Sequence, residues 1–502
     1  MSFRARLEQA HRGSGDPDEL AELAGDALSE GEEEAAVPIV RAAAEKHRDA
    51  RLWQWAGLLH RALDEHGQAI DCLAMAGRLA PADARIAHAQ AHVALEAGVE
   101  AEALFERACG LAPDNGAVLI GLTAARMAAG HGARALNDLE AILEQAPLWI
   151  EGHLQYAQLS ALLGRQSTAS ASLERAIAKL PREPALWLAR CDLNLRREAY
   201  RDLLDGVGRA AAAGVAGDDL DFYRAVAAGE SDDPAADRLL SDDAAVANPA
   251  LAVWRTRHLL RHGRVVQAVE LIDRELRSER RQAIWPYAAI AWRLAGDPRS
   301  AWLEDQAGLV SVIDLSEELA PMAPLALRLT ALHERSGQFI DQSVRGGSQT
   351  DGPLLSRIEP EIRALRAAVA GAVARYVADL PAPDPGHPLL GVSRDRRIGF
   401  SGSWSVRLRG RGRHANHVHP MGWISSALHV VVPGRRPEEA PDSGALVLGE
   451  PDANLGLELA ARMTIPPRPG QLVLFPSWMW HGTRPFAEGE RVSVAFDVAP
   501  PR

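Results

Sequence analysis

The segment ALNDLEAILEQAP, residues 135–147, is one of four similar segments in the first half of the chain. The others are AIDCLAMAGRLAP at 69–81, AEALFERACGLAP at 101–113 and ASASLERAIAKLP at 169–181. Each begins with alanine, has a large apolar residue four positions later and ends in proline. Apolar residues at this spacing share one helix face, the small alanine lets a second helix cross closely, and proline ends the helix. Because the prolines are 32, 34 and 34 residues apart, the sequence predicts stacked helical hairpins.

The period near 34 residues resembles the tetratricopeptide repeat, over about residues 50–184. The resemblance implies an α-solenoid with a concave groove, and in such proteins the groove often receives a peptide or protein. We expect further hairpins at 251–274 and 282–303, and a degenerate repeat or irregular joint at 212–243. The implied partner is a protein or peptide in the repeat groove. The alternative is that the solenoid only packs against a second domain.

The period changes in the last third of the chain. Residues 343–352 are rich in glycine and polar residues and are interpreted as a loop, whereas 360–380 have the apolar spacing of one more helix. From about residue 397, short apolar segments separated by turn signals are typical of a β-sandwich or barrel. The predicted strands begin at Ile398 and continue at 424–432, 444–448, 463–465, 471–475 and 491–498.

These patterns together predict a multidomain α + β fold. We expect a helical repeat domain at 1–310, connecting helices and a loop at 311–390 that are partly packed on the last domain, and a β-domain at 391–502. A helical first part and an all-strand end indicate separate domains, not alternating βα units.

Composition argues against several classes of protein. The chain has 55 Lys+Arg against 67 Asp+Glu, a net charge of −12, which argues against a nucleic-acid partner because phosphates need a basic surface. No apolar run approaches the roughly 18 residues that span a bilayer, and the first residues lack a secretory signal's apolar core. We therefore expect no membrane partner and a cytoplasmic location. The three cysteines form no CxxC motif, so neither a disulfide framework nor a structural zinc site is expected.

Histidines are concentrated where the predicted strands begin. His417 and His419 are two residues apart, so an extended backbone would present both imidazoles to one ion. His481 follows an apolar strand, and the turn there can direct it back into the interior. Arg491 and Ser493 share one face of the last strand. The pattern indicates a metal site with a guanidinium nearby.

Two ligands on an early strand, a distal histidine and an arginine on the last strand make residues 397–502 resemble the Fe(II)/2-oxoglutarate oxygenases, whose catalytic domain is a double-stranded β-helix (jelly roll). More narrowly, the chain resembles a bacterial family of 2-oxoglutarate–Fe(II) oxygenases with tetratricopeptide repeats. The matching blocks are 402–408, 416–426, 474–485 and 491–497. The resemblance implies a dioxygenase that uses Fe(II), dioxygen and 2-oxoglutarate as cosubstrate. It would convert 2-oxoglutarate to succinate while hydroxylating a substrate C–H bond.

The resemblance also assigns the metal ligands. His417 and His481 stand at ligand positions, and His419 stands where the superfamily usually carries aspartate or glutamate. Three neutral imidazoles would bind Fe(II) without a carboxylate's charge, which alters affinity and redox tuning. The alternative is that one histidine lies outside the ligand set and a carboxylate such as Asp497 or Glu450 replaces it.

The remaining assignments concern cosubstrate and substrate. Arg491 would form a bidentate pair with the distal carboxylate of 2-oxoglutarate, and Ser493 would add a hydrogen bond. His429 would contact the cosubstrate or only pack. The candidates for substrate contact are Trp404, Arg407, Trp423 and Trp480, with core packing as the alternative for the tryptophans and a solvated strand face for Arg407.

Three functions follow as hypotheses. The leading one is an Fe(II)/2-oxoglutarate-dependent dioxygenase that hydroxylates a protein or peptide recruited or shaped by the repeats. The second is a repeat scaffold whose jelly roll binds metal or a 2-oxo acid without turnover. The third is a cupin-like three-histidine dioxygenase that does not use 2-oxoglutarate.

Overall fold

The computed structural model of the protein describes residues 3–11, 15–334, 337 and 343–501. The chain forms two compact units, one of residues 1–139 and 351–367, the other of residues 140–350 and 368–501. The helices are α1 (Phe3–His11), α2 (Pro17–Glu30), α3 (Glu33–His47), α4 (Ala50–Ala62), α5 (His66–Leu79), α6 (Ala84–Glu96), α7 (Glu102–Leu111), α8 (Gly116–Ala128), α9 (Gly132–Gln145), α10 (Ile150–Leu162), α11 (Ala171–Lys179), α12 (Pro184–Arg196), α13 (Tyr200–Ala212), α14 (Asp218–Glu230), α15 (Ala236–Leu239), α16 (Asp242–Ala247), α17 (Leu251–Arg261), α18 (Val265–Glu275), α19 (Arg281–Ala295), α20 (Arg299–Glu304), α21 (Met322–His333) and α22 (Pro360–Asp379).

The first unit is built from helical hairpins with a common design. The first helix of a repeat begins at a side-chain cap: Asp49, Asp83 and Asn115 each accept two backbone N–H groups at the starts of α4, α6 and α8. The second helix ends two residues before the repeat proline, as in α5 and α7. The repeat alanines and large apolar residues are buried: Ala69, Leu73, Ala101 and Phe105 are at most 4% exposed. The predicted hairpins are therefore confirmed here.

The second unit contains the remaining repeats and the β-domain. The expected hairpins at 251–274 and 282–303 are confirmed as α17 with α18 and α19 with α20. Within 212–243, a full helix, α14, is followed by the short α15 and the start of α16. No helix in the described part of the chain is long and apolar enough to cross a bilayer.

The strands form two antiparallel sheets. They are β1 (Ser311–Asp314), β2 (Val344–Gln349), β3 (Phe400–His414), β4 (Ile424–Val431), β5 (Leu446–Leu448), β6 (Met463–Ile465), β7 (Gln471–Pro476), β8 (His481–Thr483) and β9 (Glu490–Val498). The larger sheet has the order β1-β7-β4-β9-β3-β2 and the smaller sheet the order β6-β5-β8. Apolar side chains from both sheets, including Leu446, Leu448 and Phe475, share one core. The predicted fold class, helical repeats followed by an antiparallel β-region of jelly-roll type, is confirmed.

The loop interpretation of residues 343–352 is wrong for Val344–Gln349, which form the edge strand β2. The strand pairs with β3, and its register shifts between Arg345 and Gly347. Gly346 takes a positive φ of 76° there, a conformation that glycine adopts without strain. Local composition therefore indicated a turn, whereas the backbone of β3 supplies the hydrogen bonds of a strand. With β1 at the opposite edge, the segment between the repeats and β3 contributes both edge strands.

Candidate active site

The three candidate ligand histidines are brought together by backbone pairing between segments distant in sequence. The N–H of His417 donates to the carbonyl of His481 at 2.9 Å, and the N–H of His481 donates back at 3.0 Å. The N–H of His419 donates to the carbonyl of Ser477 at 2.9 Å. His481 lies on β8 of the smaller sheet, so its pairing with His417 attaches both histidines to the β-domain.

The imidazoles of His417, His419 and His481 form a candidate metal centre. One ring nitrogen of each lies within 4.8 Å of those of the other two. The ring centroids are 4.2 Å apart for His417 and His481, and 5.1 and 5.2 Å from His419 to these two. Among the residues that the structure describes, no other group of three histidine, cysteine or acidic side chains converges in this way.

Hydrogen bonds fix the tautomer of all three rings. Nδ1 of His417 lies 2.8 Å from the carbonyl oxygen of Ala415, and Nδ1 of His481 lies 2.9 Å from that of Met479. Nδ1 of His419 lies 2.6 Å from Oδ2 of Asp497. Since these oxygens accept hydrogen bonds, Nδ1 carries the hydrogen in the neutral form of each ring and Nε2 then has the lone pair. Such outer hydrogen bonds orient the histidine ligands of metal sites.

The two carboxylates considered as ligands have other partners. Asp497 binds His419 through Oδ2 and accepts from the hydroxyl of Ser425 through Oδ1, at 2.6 Å. Glu450 forms a bidentate pair with Arg484, at 2.9 and 2.5 Å. The geometry therefore favours three imidazoles, with the Asp497 carboxylate behind one of them.

Burial keeps two of the ligand candidates, His417 and His481, neutral. Loss of hydration lowers the pKa of His417 to about 3, with His419 as a further cause. The same burial lowers the pKa of His481 well below its usual value, assisted by His417 and His419. A metal ligand must be unprotonated, and these two rings meet that condition at neutral pH.

Arg491 is a buried cation without a counter-ion. It is 2% exposed, and its guanidinium donates to the carbonyl of Gly444 at 2.8 Å and to Nδ1 of His429 at 3.1 Å. Its Nε has no partner, and no described carboxylate lies within ion-pair distance. Burial lowers the pKa of Arg491 to about 10, so the group is still charged at neutral pH. An unpaired buried charge is costly, which makes this position suited to an anionic ligand.

One cavity contains these groups. It has a volume of about 760 Å³, and its lining includes the three histidines, Arg491 and Ser493. His429 is fully buried and lies outside this lining, where its Nδ1 accepts from Arg491. The cavity lining thus contains five of the six residues predicted for metal and cosubstrate, and the sixth, His429, lies behind the guanidinium. Trp404 also lines the cavity, its ring 5.7 Å from that of His419.

Two tryptophans predicted as candidates for substrate contact lie elsewhere. The indole N–H of Trp423 donates to the carbonyl of Leu389, and that of Trp480 donates to the carbonyl of Pro286. Both rings are at most 3% exposed and neither lines the cavity. A buried indole N–H needs an acceptor, and these acceptors hold the rings in the core. The geometry gives the alternative of core packing for both.

Arg407 is also absent from the cavity lining. Its guanidinium pairs with the carboxylate of Glu490 at 2.6 and 2.8 Å across the β3–β9 ladder. The pairing is between neighbouring strands, so the side chain is held along the sheet and not over the metal centre.

Two residues of the site had no such role in the sequence analysis. His414 lines the cavity with its ring 6.0 Å from that of His417, and its Nε2 has no partner among the described residues. Asp497 was considered only as a ligand, but it supports His419. The alternation of the last strand carried a signal for Asp497, since it is an even number of residues from Arg491 and Ser493 and shares their face.

Comparison with solved structures finds several similar chains. A tetratricopeptide repeat protein from Parabacteroides merdae ATCC 43184 is 13% identical, covers 44% of this chain and 88% of its own, and gives a TM-score of 0.32. MamA from Desulfovibrio magneticus RS-1 is 16% identical; the match covers 33% of this chain and 95% of MamA, with a TM-score of 0.29. YrrB, a TPR protein with an unusual peptide-binding site, is 20% identical; the match covers 37% of this chain and 96% of YrrB, with a TM-score of 0.29. No curated protein matches the chain.

The β-domain has a family match. Residues 402–497 match the family described as "Putative 2OG-Fe(II) oxygenase". The matched segment contains the three histidines, Arg491, Ser493 and Asp497. The C-terminal part of this chain is therefore similar to the 2OG-Fe(II) oxygenases.

Proposed function

We propose that the protein is an Fe(II)/2-oxoglutarate-dependent dioxygenase that hydroxylates a protein or peptide recruited by its helical repeats. One observation carries the proposal: a single cavity is lined by three converging imidazoles and by a buried guanidinium that has no counter-ion among the described residues. The family match over residues 402–497 supports the same activity.

The donor set fits Fe(II). Imidazole nitrogens suit iron, and three protein ligands leave coordination positions open for a bidentate acid and dioxygen. His417, His419 and His481 would hold the ion through Nε2. The carboxylate of Asp497 accepts the Nδ1 hydrogen of His419, which makes that ring a stronger donor. We propose that its charge offsets part of what a carboxylate ligand would supply.

The guanidinium fits the distal carboxylate of 2-oxoglutarate. Arg491 presents a planar fork of donors, and Ser493 has a hydroxyl on the same face of β9. The hydrogen bond from Arg491 to Nδ1 of His429 holds the guanidinium in place before the acid arrives. When bound, the metal and the cosubstrate supply the oxidising chemistry, with succinate as the product of 2-oxoglutarate. The protein contributes position, charge and a set of imidazole ligands.

The test is an anaerobic titration of the full chain with Fe(II) and then 2-oxoglutarate. The expected result is the visible charge-transfer band of a chelated 2-oxo acid, followed by succinate formation when oxygen is admitted. His481→Ala should abolish tight iron binding, whereas Arg491→Ala should retain iron and lose the band at moderate 2-oxoglutarate concentration. His47→Ala, an exposed histidine on α3, is the matched control and should change neither. Stoichiometric iron in His481→Ala would contradict the ligand assignment.

A second candidate function is favoured by the ligand set itself. Within the described residues the cluster contains no carboxylate, which is also the pattern of a three-histidine dioxygenase that ignores 2-oxoglutarate. In that case Arg491→Ala would leave activity and cosubstrate binding unchanged. A chelate band without any succinate would instead indicate a metal-binding scaffold.

A further inference from the structure

The outer part of the cavity is lined by arginines from two distant parts of the chain. Arg196 ends α12 and Arg197 follows it, whereas Arg345 lies on β2 and Arg413 on β3. We call these four residues the outer arginine cluster. The acidic residues of the same lining, apart from Asp497, are Glu198 and Asp452. The wall is thus rich in positive charge although the chain carries a net charge of −12.

Two members of the cluster have no internal counter-ion. Arg196 pairs with Asp192 at 2.8 Å, and Arg345 lies 4.0 Å from the carboxylate of Glu198. For Arg197 and Arg413, no carboxylate of the described chain lies within ion-pair distance. Other arginines of the neighbouring surface do form ion pairs.

The neighbouring arginines of β3 provide that contrast. Arg407 pairs with Glu490 at 2.6 Å, and the exposed Arg409 lies 3.7 Å from the same carboxylate. Neither lines the cavity. On β3, therefore, Arg407 and Arg409 share a carboxylate, whereas no described carboxylate pairs with Arg413, at the cavity wall, or with Arg411, outside it.

Helical repeats contribute directly to this wall. Gln166 and Ala169, from the connection between α10 and α11, line the same cavity as Arg197 and the three histidines. Residues of the repeats are therefore present at the candidate site itself.

We infer that the substrate is an acidic peptide whose carboxylates bind Arg197 and Arg413 while the residue to be oxidised lies over the three histidines. The inference rests on the proposed function and adds the chemical class of its substrate. Carboxylates form charge-assisted hydrogen bonds with guanidinium groups, and a half-buried cation such as Arg197 is screened less by salt than a fully exposed one. Two free cations flanked by Glu198 and Asp452 suit a few carboxylates and not the continuous charge of a nucleic acid.

The first experiment pans a pool of random-sequence peptides over the immobilised full chain, loaded anaerobically with Fe(II) and 2-oxoglutarate. The bound fraction should be enriched in aspartate and glutamate. The enrichment should be lost in the Arg197→Glu/Arg413→Glu double variant and kept in Arg409→Glu, the matched control on β3. Absence of enrichment in the parent, or its persistence in the double variant, would overturn the inference.

The second experiment measures binding of one selected peptide by fluorescence anisotropy. Each single variant, Arg197→Glu or Arg413→Glu, should bind about tenfold more weakly, as expected for loss of one charge contact. The chelate band of the variants shows that they are folded and loaded. N-acetylaspartate is the probe for a free acid: if it stimulates succinate formation and the selected peptides do not, the peptide assignment is wrong.

The two proposals fail in different ways. If the parent chain forms no chelate band, the proposed function fails, whatever the peptides do. If the band forms but acidic peptides are not selected, only the substrate class fails. The band is read without turnover, so the two outcomes are separate.

Discussion

Two buried arginines in this chain are held in opposite ways. Arg257, on α17, is 7% exposed and binds the carboxylate of Glu230 at 2.7 and 2.9 Å and the hydroxyl of Tyr287 at 3.3 Å. Arg491, on β9, is 2% exposed and has only a carbonyl oxygen and a neutral imidazole as partners. The first guanidinium has its counter-ion inside the protein and the second has none in the described chain.

The pKa values of the two groups differ accordingly. Burial by itself would lower the pKa of Arg257, but Tyr287 and Glu230 raise it well above its usual value. Burial lowers the pKa of Arg491 to about 10, and nothing opposes it. The same type of side chain is thus a structural ion in the repeats and a candidate anion-binding group in the β-domain. Burial alone does not distinguish the two roles, whereas the presence of a carboxylate does.

The largest expected effect is on the free energy of unfolding, and it tests the difference between Arg257 and Arg491. Glu230→Gln leaves Arg257 buried without a countercharge and should lower the free energy of unfolding by about 3–5 kcal/mol. Arg491→Met should cost clearly less, because it loses two hydrogen bonds but also removes an uncompensated charge. Urea unfolding of both variants and the parent chain, followed by circular dichroism, measures the two values.

The comparison between the two arginines fails if Arg491→Met lowers the free energy of unfolding more than Glu230→Gln does. Equal or greater destabilisation by Arg491→Met would mean that Arg491 is a structural ion whose partner is already in place. Adding 2-oxoglutarate and Fe(II) sharpens the result, since a ligand that binds only the folded state raises stability. Both chains should be stabilised by Fe(II), but the further addition of 2-oxoglutarate should stabilise only the parent and not Arg491→Met.

A buried neutral group provides the next comparison. His333, on α21, is 5% exposed, with Nδ1 3.0 Å from the hydroxyl of Ser348 and Nε2 3.0 Å from that of Ser405. Burial, with Arg407 and Arg409 as further causes, lowers the pKa of His333 to about 4 from its usual 6.5. Below pH 6.5 the unfolded chain takes up a proton that the folded chain does not. Stability should therefore fall as the pH drops from 6.5 towards 4, by up to about 3 kcal/mol.

Variants isolate the contribution of His333 from those of other groups. His333→Gln keeps a donor and an acceptor but does not titrate, so the loss of stability between about pH 7 and about pH 4.5 should become smaller. The exposed His47 gives the control variant, His47→Gln, which should leave the pH dependence unchanged. An identical pH dependence in parent and His333→Gln would show that His333 is not protected from protonation.

Much of the fold was predictable because it depends on short-range patterns. The repeat alanines and prolines mark the second helix of each repeat, and α5, α7, α9 and α11 each end two residues before the proline. The histidine spacing and the alternation of the last strand also predicted which side chains share the cavity. These signals are local, so one sequence contains them.

The errors concern features that depend on distant parts of the chain. The strand β2 exists because β3 offers a free edge, and no residue of 343–352 carries that information. Trp423 and Trp480 lie near the histidines in sequence, but carbonyl oxygens of Leu389 and Pro286 hold their indoles in the core. The choice between ligand and supporting role for Asp497 likewise depended on a contact 78 residues away along the chain.

The smallest of the predicted effects concerns the hydrogen bond between His419 and Asp497. Two ligand histidines donate to backbone carbonyls, whereas His419 donates to the carboxylate of Asp497. Asp497→Asn keeps an acceptor but removes the charge, and Asp497→Ala removes both. If the charge of Asp497 offsets the missing carboxylate ligand, iron should bind about tenfold more weakly in the first variant and up to about a hundredfold more weakly in the second. Competition with a chelator of known iron affinity measures both.

Glu490→Gln is the matched control, because Glu490 lies on the same strand, β9, and pairs with Arg407 outside the cavity. Iron should bind this variant as tightly as the parent. Equal affinity of Asp497→Asn and parent, with a loss only in Asp497→Ala, would mean that the hydrogen bond orients the ring and the charge is unimportant. The three acceptors that orient the rings would then be equivalent. The positive charge of the bound metal would be neutralised by the acid that Arg491 binds. As with the two buried arginines, what decides the role is whether the compensating charge is already inside the protein.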